Sequence, residues 1–383
     1  MKKWNLIISS GFLSKMNDND AKAFKDLASN GFEIIIISHD AGLLNYLSKN
    51  RKELEFNYKL KLRGSGEGSI RDFLKDDETA STSIIIGVVE EDLFLAANRK
   101  IILLNPNWIE TDKKIKKYGV CIPNLTKLLE ILQVLHNQGS WYYKLDLSTK
   151  TTLLCLTKAN TMNYDVSASE KEMVEHFRSV LKNNASFYED VLLFHFLSGV
   201  TQYNEFRNVD FWGAMPSSSG QPSAVLQEFK ERCRYLTNRR STQDILIREV
   251  PTTKSHETTY QTRMRDGASK HVNSMIINPY YLDKLKGKEV CLIDDYVTYG
   301  ATMEAARALL EKAGVKRLLL VGLGRYMKNS GIYIKENLSI TGDLYSVNHR
   351  VKKIAEDSNW GQRAVIDNHA RDDLRRMYEI LKV

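Results

Sequence analysis

Two adjacent carboxylates, Asp294 and Asp295, follow directly on an apolar run at residues 290–293. The run predicts a strand buried on both faces of a parallel sheet. Its carboxyl end would then lie at the edge where open α/β sheets bind ligands. A small polar turn follows at residues 298–302, where Gly300 permits close backbone approach and the amides precede a helix-like stretch. Carboxylates that can bind sugar hydroxyls, next to amides that can bind phosphate, predict a ribose-5-phosphate pocket.

The segment from Val290 to Thr302 closely resembles the phosphoribosyl diphosphate (PRPP) signature of type I phosphoribosyltransferases. The resemblance implies that Asp294 and Asp295 are catalytic and hold the ribose hydroxyls. It also implies that the 5-phosphate binds a loop formed by Thr298, Tyr299, Gly300, Ala301 and Thr302. Tyr299 departs from the family, which usually has Thr there. An ordinary strand end whose acids cap the next helix is the alternative interpretation.

A second small-residue turn follows the strand-like segment that begins at Val209. It contains Ser217, Ser218, Ser219 and Gly220. Amides and hydroxyls in such a turn can hold diphosphate, and the resemblance implies a diphosphate loop here. A simple strand-to-helix turn is the alternative.

The stretch Glu249–Asn278 is long, polar and basic. A loop of this length is usually functional or disordered, and the resemblance implies a flexible loop whose cations, among them Lys254, Arg263 and Arg265, close over the leaving diphosphate. Its middle part is similar to the competence-associated branch of the family. A solvated charged loop is the alternative.

Arg325, at the end of a later strand-like run, is a candidate contact of nucleophile or diphosphate, or else a surface residue.

The first 135 residues alternate between strand-like and helix-like segments, and the pattern resembles the haloacid-dehalogenase (HAD) fold. The family's nucleophilic Asp, its acid/base Asp and one metal-binding Asp are replaced by Ile8, Ser10 and Val88, whereas Asp92 remains. Without the carboxylate nucleophile no aspartyl-phosphate can form, so the resemblance implies a catalytically inactive domain. A generic α/β domain is the alternative.

These observations predict an α/β protein with two doubly wound parallel-sheet domains, a HAD-like Rossmannoid one and a phosphoribosyltransferase fold. We assign residues 1–135 to the first domain and residues 188–383 to the second. Residues 136–187 are predicted to be a connecting segment with a hairpin and a helix. The 383 residues suit this size, and four widely spaced cysteines without a CxxC pair favour a reduced, cytoplasmic protein.

The net charge of +8 favours anionic ligands without choosing among them. The leading hypothesis is a PRPP-using transferase that releases diphosphate with the help of Mg²⁺. The residues that bind Mg²⁺ and the acceptor of the phosphoribosyl group stay unknown. A PRPP- or nucleotide-binding regulator without catalysis is the second hypothesis. A nucleic-acid-associated effector of a stress or phage-defence system is the third. We also expect a homodimer or complex member that does not enter a membrane, because no apolar run is long enough to span one.

Overall fold

The computed structural model describes residues 4–135, 141–162, 165–183, 189–252, 260–327 and 331–382. The α-helices are α1 Ser10–Leu13, α2 Asp18–Ser29, α3 Ala41–Lys49, α4 Ile70–Phe73, α5 Asp77–Ser81, α6 Glu90–Arg99, α7 Lys113–Tyr118, α8 Leu125–Leu135, α9 Ala168–Asn183, α10 Glu189–Gln202, α11 Asn204–Arg207, α12 Ala224–Leu236, α13 Tyr260–Val272, α14 Ala301–Lys312 and α15 Asn368–Leu381. The strands are β1 Asn5–Ser9, β2 Glu33–Ser38, β3 Lys59–Leu62, β4 Ser83–Ile86, β5 Ile102–Pro106, β6 Val120–Ile122, β7 Tyr143–Asp146, β8 Thr151–Lys158, β9 Phe211–Ala214, β10 Leu246–Arg248, β11 Met275–Ile277, β12 Glu289–Val297, β13 Arg317–Arg325, β14 Lys335–Thr341, β15 Arg350–Asp357 and β16 Val365–Ile366.

The first six strands form a wholly parallel sheet in the order β3-β2-β1-β4-β5-β6. The apolar runs of the sequence supply its central strands, and Ile7 lies between Ile35 and Ile85 in register. All three isoleucines are fully buried because helices cover both faces of the sheet. This part of the chain is therefore a Rossmann-like α/β unit, with its switch point between β1 and β4.

The second six-stranded sheet has the order β16-β7-β8-β13-β12-β9. Strands β8, β13, β12 and β9 are parallel, whereas β7 pairs antiparallel with both of its neighbours, β8 and β16. The prediction of a wholly parallel second sheet is therefore wrong at one edge. The reason is the hairpin of β7 and β8, which returns after a short turn and so must pair antiparallel. The hairpin lies in the segment that we predicted to be a connection, and it contributes a central strand to this sheet.

One buried apolar cluster extends from a face of the first sheet to a face of the second. It includes Ile8 and Ile36 of the first sheet and Ile293 and Val321 of the second. The side chains that join them come from helices α8, α9, α10, α12 and α15. The two sheets thus share a helical layer, which we call the shared core.

A polar contact also joins the two sheet units. The buried Arg207 donates from Nε and Nη2 to Asp77 Oδ1, at 2.9 and 2.7 Å. Lys100 Nζ in turn donates to the carbonyl of Arg207 at 2.6 Å. Within the described ranges, the helices are all too short or too polar to cross a bilayer.

Candidate functional site

A cavity of about 750 Å³ opens at the carboxyl ends of β9, β12 and β13. The residues of the three sequence motifs that line it are Ser217, Ser218, Asp294, Asp295, Thr298, Tyr299, Gly300, Ala301 and Thr302. The cations that line it are Arg178, Lys182, Arg248 and Lys270, with His271 beside them. The predicted sugar, phosphate and diphosphate residues therefore meet in one cavity.

The acid pair occupies the end of β12, and its two carboxylates differ in their partners. Asp294 Oδ1 accepts the Asp295 amide at 2.9 Å, and Asp295 Oδ1 accepts the Tyr296 amide at 2.6 Å. Asp295 Oδ2 also forms an ion pair with Lys182 of α9. The cation that holds Asp295 thus comes from a helix of the shared core.

Asp294 has a strongly perturbed acidity. Burial, together with the charge of Asp295, raises the pKa of Asp294 to about 7, although Lys182 and Arg248 oppose the shift. Its carboxyl group therefore changes protonation near neutral pH. Perturbed carboxyls of this kind are common at binding and catalytic sites.

The predicted phosphate loop turns at Gly300, which precedes the twelve-residue helix α14. Its φ of +90° lies in the left-handed region, and a Cβ at this position would overlap the ring of Tyr333. Only glycine meets both conditions without strain. The first amides of α14 have no partner within the helix and face the cavity end, which suits an anion.

Arg325 is buried behind this loop and does not line the cavity. Its guanidinium donates to the carbonyls of Val297, Thr298, Tyr326, Gly331 and Ile332. Both expectations for Arg325, a ligand contact and a surface role, are therefore wrong. Its physical task is to fix the backbone on either side of the loop.

The serine turn reaches the cavity with Ser217 and Ser218, whereas Ser219 and Gly220 lie outside its lining. Ser217 Oγ donates to the Gln221 carbonyl at 2.6 Å, so this hydroxyl already has a partner within the turn. The turn therefore has only two of its four predicted residues at the cavity.

Arg248 anchors the serine turn and is a residue that the sequence interpretation missed. This buried side chain donates from Nε to the Ser217 carbonyl at 2.6 Å and from Nη1 to Ser274 Oγ. Its signal in the sequence is a lone arginine that ends the short apolar strand β10. Arg178 and Lys182 were missed because α9 has the pattern of a packing helix, yet their i, i+4 spacing puts both on one face.

The basic stretch is not simply a loop, because residues 260–272 form α13 and residues 275–277 form β11. The helix was missed because most of its residues are polar and because Gly267, with a non-helical φ of +50°, interrupts it, whereas packing against α14 supports it. Lys254 and the side chain of Arg263 lie outside the described residues. Arg265 is exposed, pairs with Asp266 at 2.9 Å and does not line the cavity.

His271, from the same stretch, lines the cavity as a neutral imidazole. Burial, with the nearby charges of Arg248 and Lys270, lowers the pKa of His271 to about 4. Its Nδ1 is buried and has no hydrogen-bond partner among the described residues.

In the first sheet unit, an ion pair neutralises Asp92, the one acid that matches the HAD-like pattern. Asp92 is fully buried, and Arg63 forms an ion pair with its Oδ1. Its Oδ2 accepts the Ser9 hydroxyl at 3.1 Å and the amides of Val88 and Val89 at 2.8 and 3.1 Å. The partners of this carboxylate are thus an arginine, a hydroxyl and two backbone amides.

In the part of the chain that the structure describes, no group of three or more His, Cys, Asp or Glu side chains forms a metal site. No protein-family model, curated protein or solved structure significantly matches this chain.

Proposed function

We propose that this chain binds PRPP in the cavity and, with Mg²⁺, transfers or cleaves its phosphoribosyl group with release of diphosphate. The observation that supports this proposal is the meeting of three motifs in one cavity: the acid pair, the loop at residues 298–302, and the serine turn. These motifs supply acceptors for sugar hydroxyls and donors for two separate phosphate groups.

Each motif has its own task in the proposed reaction. Asp294 and Asp295 accept the ribose hydroxyls and stabilise positive charge that develops at the ribose carbon. The loop amides hold the 5-phosphate, which positions that carbon. Ser217 and Ser218, with the cations Lys270 and Arg178, receive the diphosphate. The bond between C1 and the diphosphate oxygen breaks with its electron pair on diphosphate, and a lone pair of the nucleophile forms the new bond to C1. The proton that the nucleophile loses passes to the released diphosphate or to water.

The described residues suit Mg²⁺ only in company with the substrate. Two adjacent carboxylates are present, and Mg²⁺ is commonly held by one or two carboxylates together with substrate phosphates. Asp294 and Asp295 would hold it with PRPP oxygens, and bound Mg²⁺ supplies neutralisation of the leaving diphosphate.

A regulator that binds PRPP or a nucleotide without turning it over is the second candidate. The observation that favours it is the ion pair between Lys182 and Asp295, which occupies a carboxylate that catalysis would need. The neutralised Asp92 of the first sheet fits the same candidate, because that unit then contributes no chemistry.

Isotope-labelled PRPP distinguishes the two candidates. Turnover is measured with and without Mg²⁺ against a pool of nitrogenous acceptors, and PRPP binding is measured by calorimetry. We expect Asp294→Asn and Asp295→Asn to weaken PRPP binding at least tenfold, which is about 1.4 kcal/mol. Asp343→Asn is the matched control, because that acid is exposed and bonds only its local backbone.

Mg²⁺-dependent turnover would establish the transferase, and binding without turnover would establish the regulator. If PRPP does not bind the wild-type protein at all, the transferase is wrong. If nucleotides do not bind either, the regulator is wrong as well.

A further inference from the structure

One wall of the cavity remains without a task in the proposed function. It is formed by Asp266 and Gly267 of α13, by Ile334 immediately before β14 and by Glu336 of β14, and we call it the β14 wall. It is the part of the cavity available to a second substrate, because the acid pair, the loop and the serine turn account for PRPP.

Glu336 is an unusual residue to find in this wall. It is only 2% exposed. Its Oε1 accepts the Ala268 amide at 2.8 Å, whereas Oε2 is buried and has no hydrogen-bond partner among the described residues. A buried carboxylate oxygen without a donor is costly, so a donor from a ligand would be strongly favoured there.

The charges around Glu336 also favour a donor. Glu304 and Glu356 add negative charge near its carboxylate, and Lys353 opposes them. Burial is the largest cause that raises the pKa of Glu336 above its ordinary value. Asp266 adds a further acid to the same wall. A ligand with a carboxylate of its own would be repelled here, whereas N–H groups would be attracted.

Glu336 is held in place from both sides. Its amide donates to Glu304 Oε2 at 3.0 Å, and its carbonyl accepts Arg307 Nη2 at 2.6 Å. Tyr333 donates to the other oxygen of Glu304 at 2.8 Å. The carboxylate of Glu336 lies so close to Gly267 that a Cβ on residue 267 would overlap it. The unpartnered oxygen is thus fixed in advance, as a specificity group should be.

We propose that Glu336 is the acceptor-binding residue of this cavity and that it selects an acceptor presenting N–H donors, such as an amine, an amidine or an amino-substituted heterocycle, over one that carries a carboxylate. This inference rests on the proposed function, since it assigns the second substrate of the same site.

The test measures acceptor binding without turnover, by calorimetry in the presence of diphosphate and Mg²⁺. Adenine, cytosine and agmatine are the N–H-donating probes, and orotate is the carboxylate probe. The variants are Glu336→Gln, which keeps an oxygen for the Ala268 amide, and the control Glu356→Gln, an exposed glutamate of the facing strand β15. Glu336→Asp replaces the first variant if circular dichroism shows that it does not fold.

We expect at least one N–H-donating probe to bind the wild type more tightly than orotate does. Its affinity should fall roughly tenfold or more in Glu336→Gln and by less than about twofold in Glu356→Gln, because water and salt screen the charge of that exposed side chain. The affinity for PRPP should be equal in all three proteins. The inference is overturned if all three N–H-donating probes fail to bind, if Glu336→Gln leaves their affinity unchanged, or if orotate is preferred.

The outcomes for the two proposals can be separated. Failure of PRPP to bind would reject the proposed function, even if adenine binding depended on Glu336. Normal PRPP binding with acceptor affinity that does not depend on Glu336 would reject only the acceptor assignment.

Discussion

At the scale of single residues, the two adjacent acids do different work although they are chemically identical. Asp295 has a cation beside it in Lys182, whereas Asp294 is partly buried in the cavity wall and has a raised pKa. The sequence was sufficient to predict that both acids lie at a ligand edge. It could not predict Lys182, because that residue approaches from a helix more than a hundred positions away and only the tertiary fold brings the two together.

The raised pKa of Asp294 predicts that PRPP binding depends on pH. The ionised carboxylate accepts hydroxyl donors fully, so we expect the affinity to increase as the pH rises from 6 to 8, through about 7. Titration calorimetry at several pH values measures this. Asp294→Asn controls for the titration of the ligand's own phosphates, and an equal slope in both proteins would contradict the assignment.

Asp294 should also affect folding stability, which we expect to decrease as the pH rises, whereas the affinity for PRPP increases. Its folded-state pKa lies above its unfolded value, so the folded protein binds more protons and loses stability as the pH rises from about 4 to about 7. Asp294→Asn removes this penalty, and we expect it to stabilise the ligand-free protein at pH 8 by roughly 2 kcal/mol. Urea denaturation at pH 4 and pH 8 tests this; a gain that is as large at pH 4 would refute the explanation.

At the scale of elements, the strand, turn and helix around the acid pair follow the sequence prediction closely. Strand β12, the turn at Gly300 and helix α14 have strong local signals, since an apolar run, a glycine and a helical pattern follow each other. Helix α13 and strand β10 lack such signals. The first is mostly polar and is interrupted at Gly267, and the second has only three residues, so tertiary contacts decide both.

The loop before α14 should tolerate no side chain at Gly300. Gly300→Ala combines a positive φ with overlap onto Tyr333, whereas Gly287→Ala has a positive φ and open space. We expect a cost of roughly 1 kcal/mol for the control and about 3 kcal/mol or more for Gly300→Ala. Chemical denaturation measures both costs, and calorimetry should show weaker PRPP binding for Gly300→Ala alone. Equal behaviour of the two variants would argue against the role of the Tyr333 contact.

At the scale of the whole molecule, the sequence predicted two α/β units but not the core that they share. The sequence signal for this core is α10, because a helix that is apolar around its circumference must be covered on every side. In the structure, residues 191–201 of this helix are all buried. Which surfaces cover it depends on the packing of both sheets. A pattern read along one segment does not contain that information.

The shared core predicts that both units unfold together. We expect a single calorimetric transition whose calorimetric and van't Hoff enthalpies agree, because one apolar cluster spans the two sheets. Arg207→Ala removes donors to Asp77, and we expect it to shift this one transition by about 2 kcal/mol rather than split it. Two separate transitions in the wild type would show that the units are independent.

The ion pair between Lys182 and Asp295 has a thermodynamic consequence for the molecule. Lys182 belongs to α9, whose apolar side chains pack in the shared core. A ligand that displaces Lys182 from Asp295 removes a restraint on α9 and changes the free energy of that packing. Reciprocity then requires that anything which shifts α9 changes the affinity of the cavity for the ligand by the same factor. The ion pair thus couples occupancy of the cavity to the position of α9.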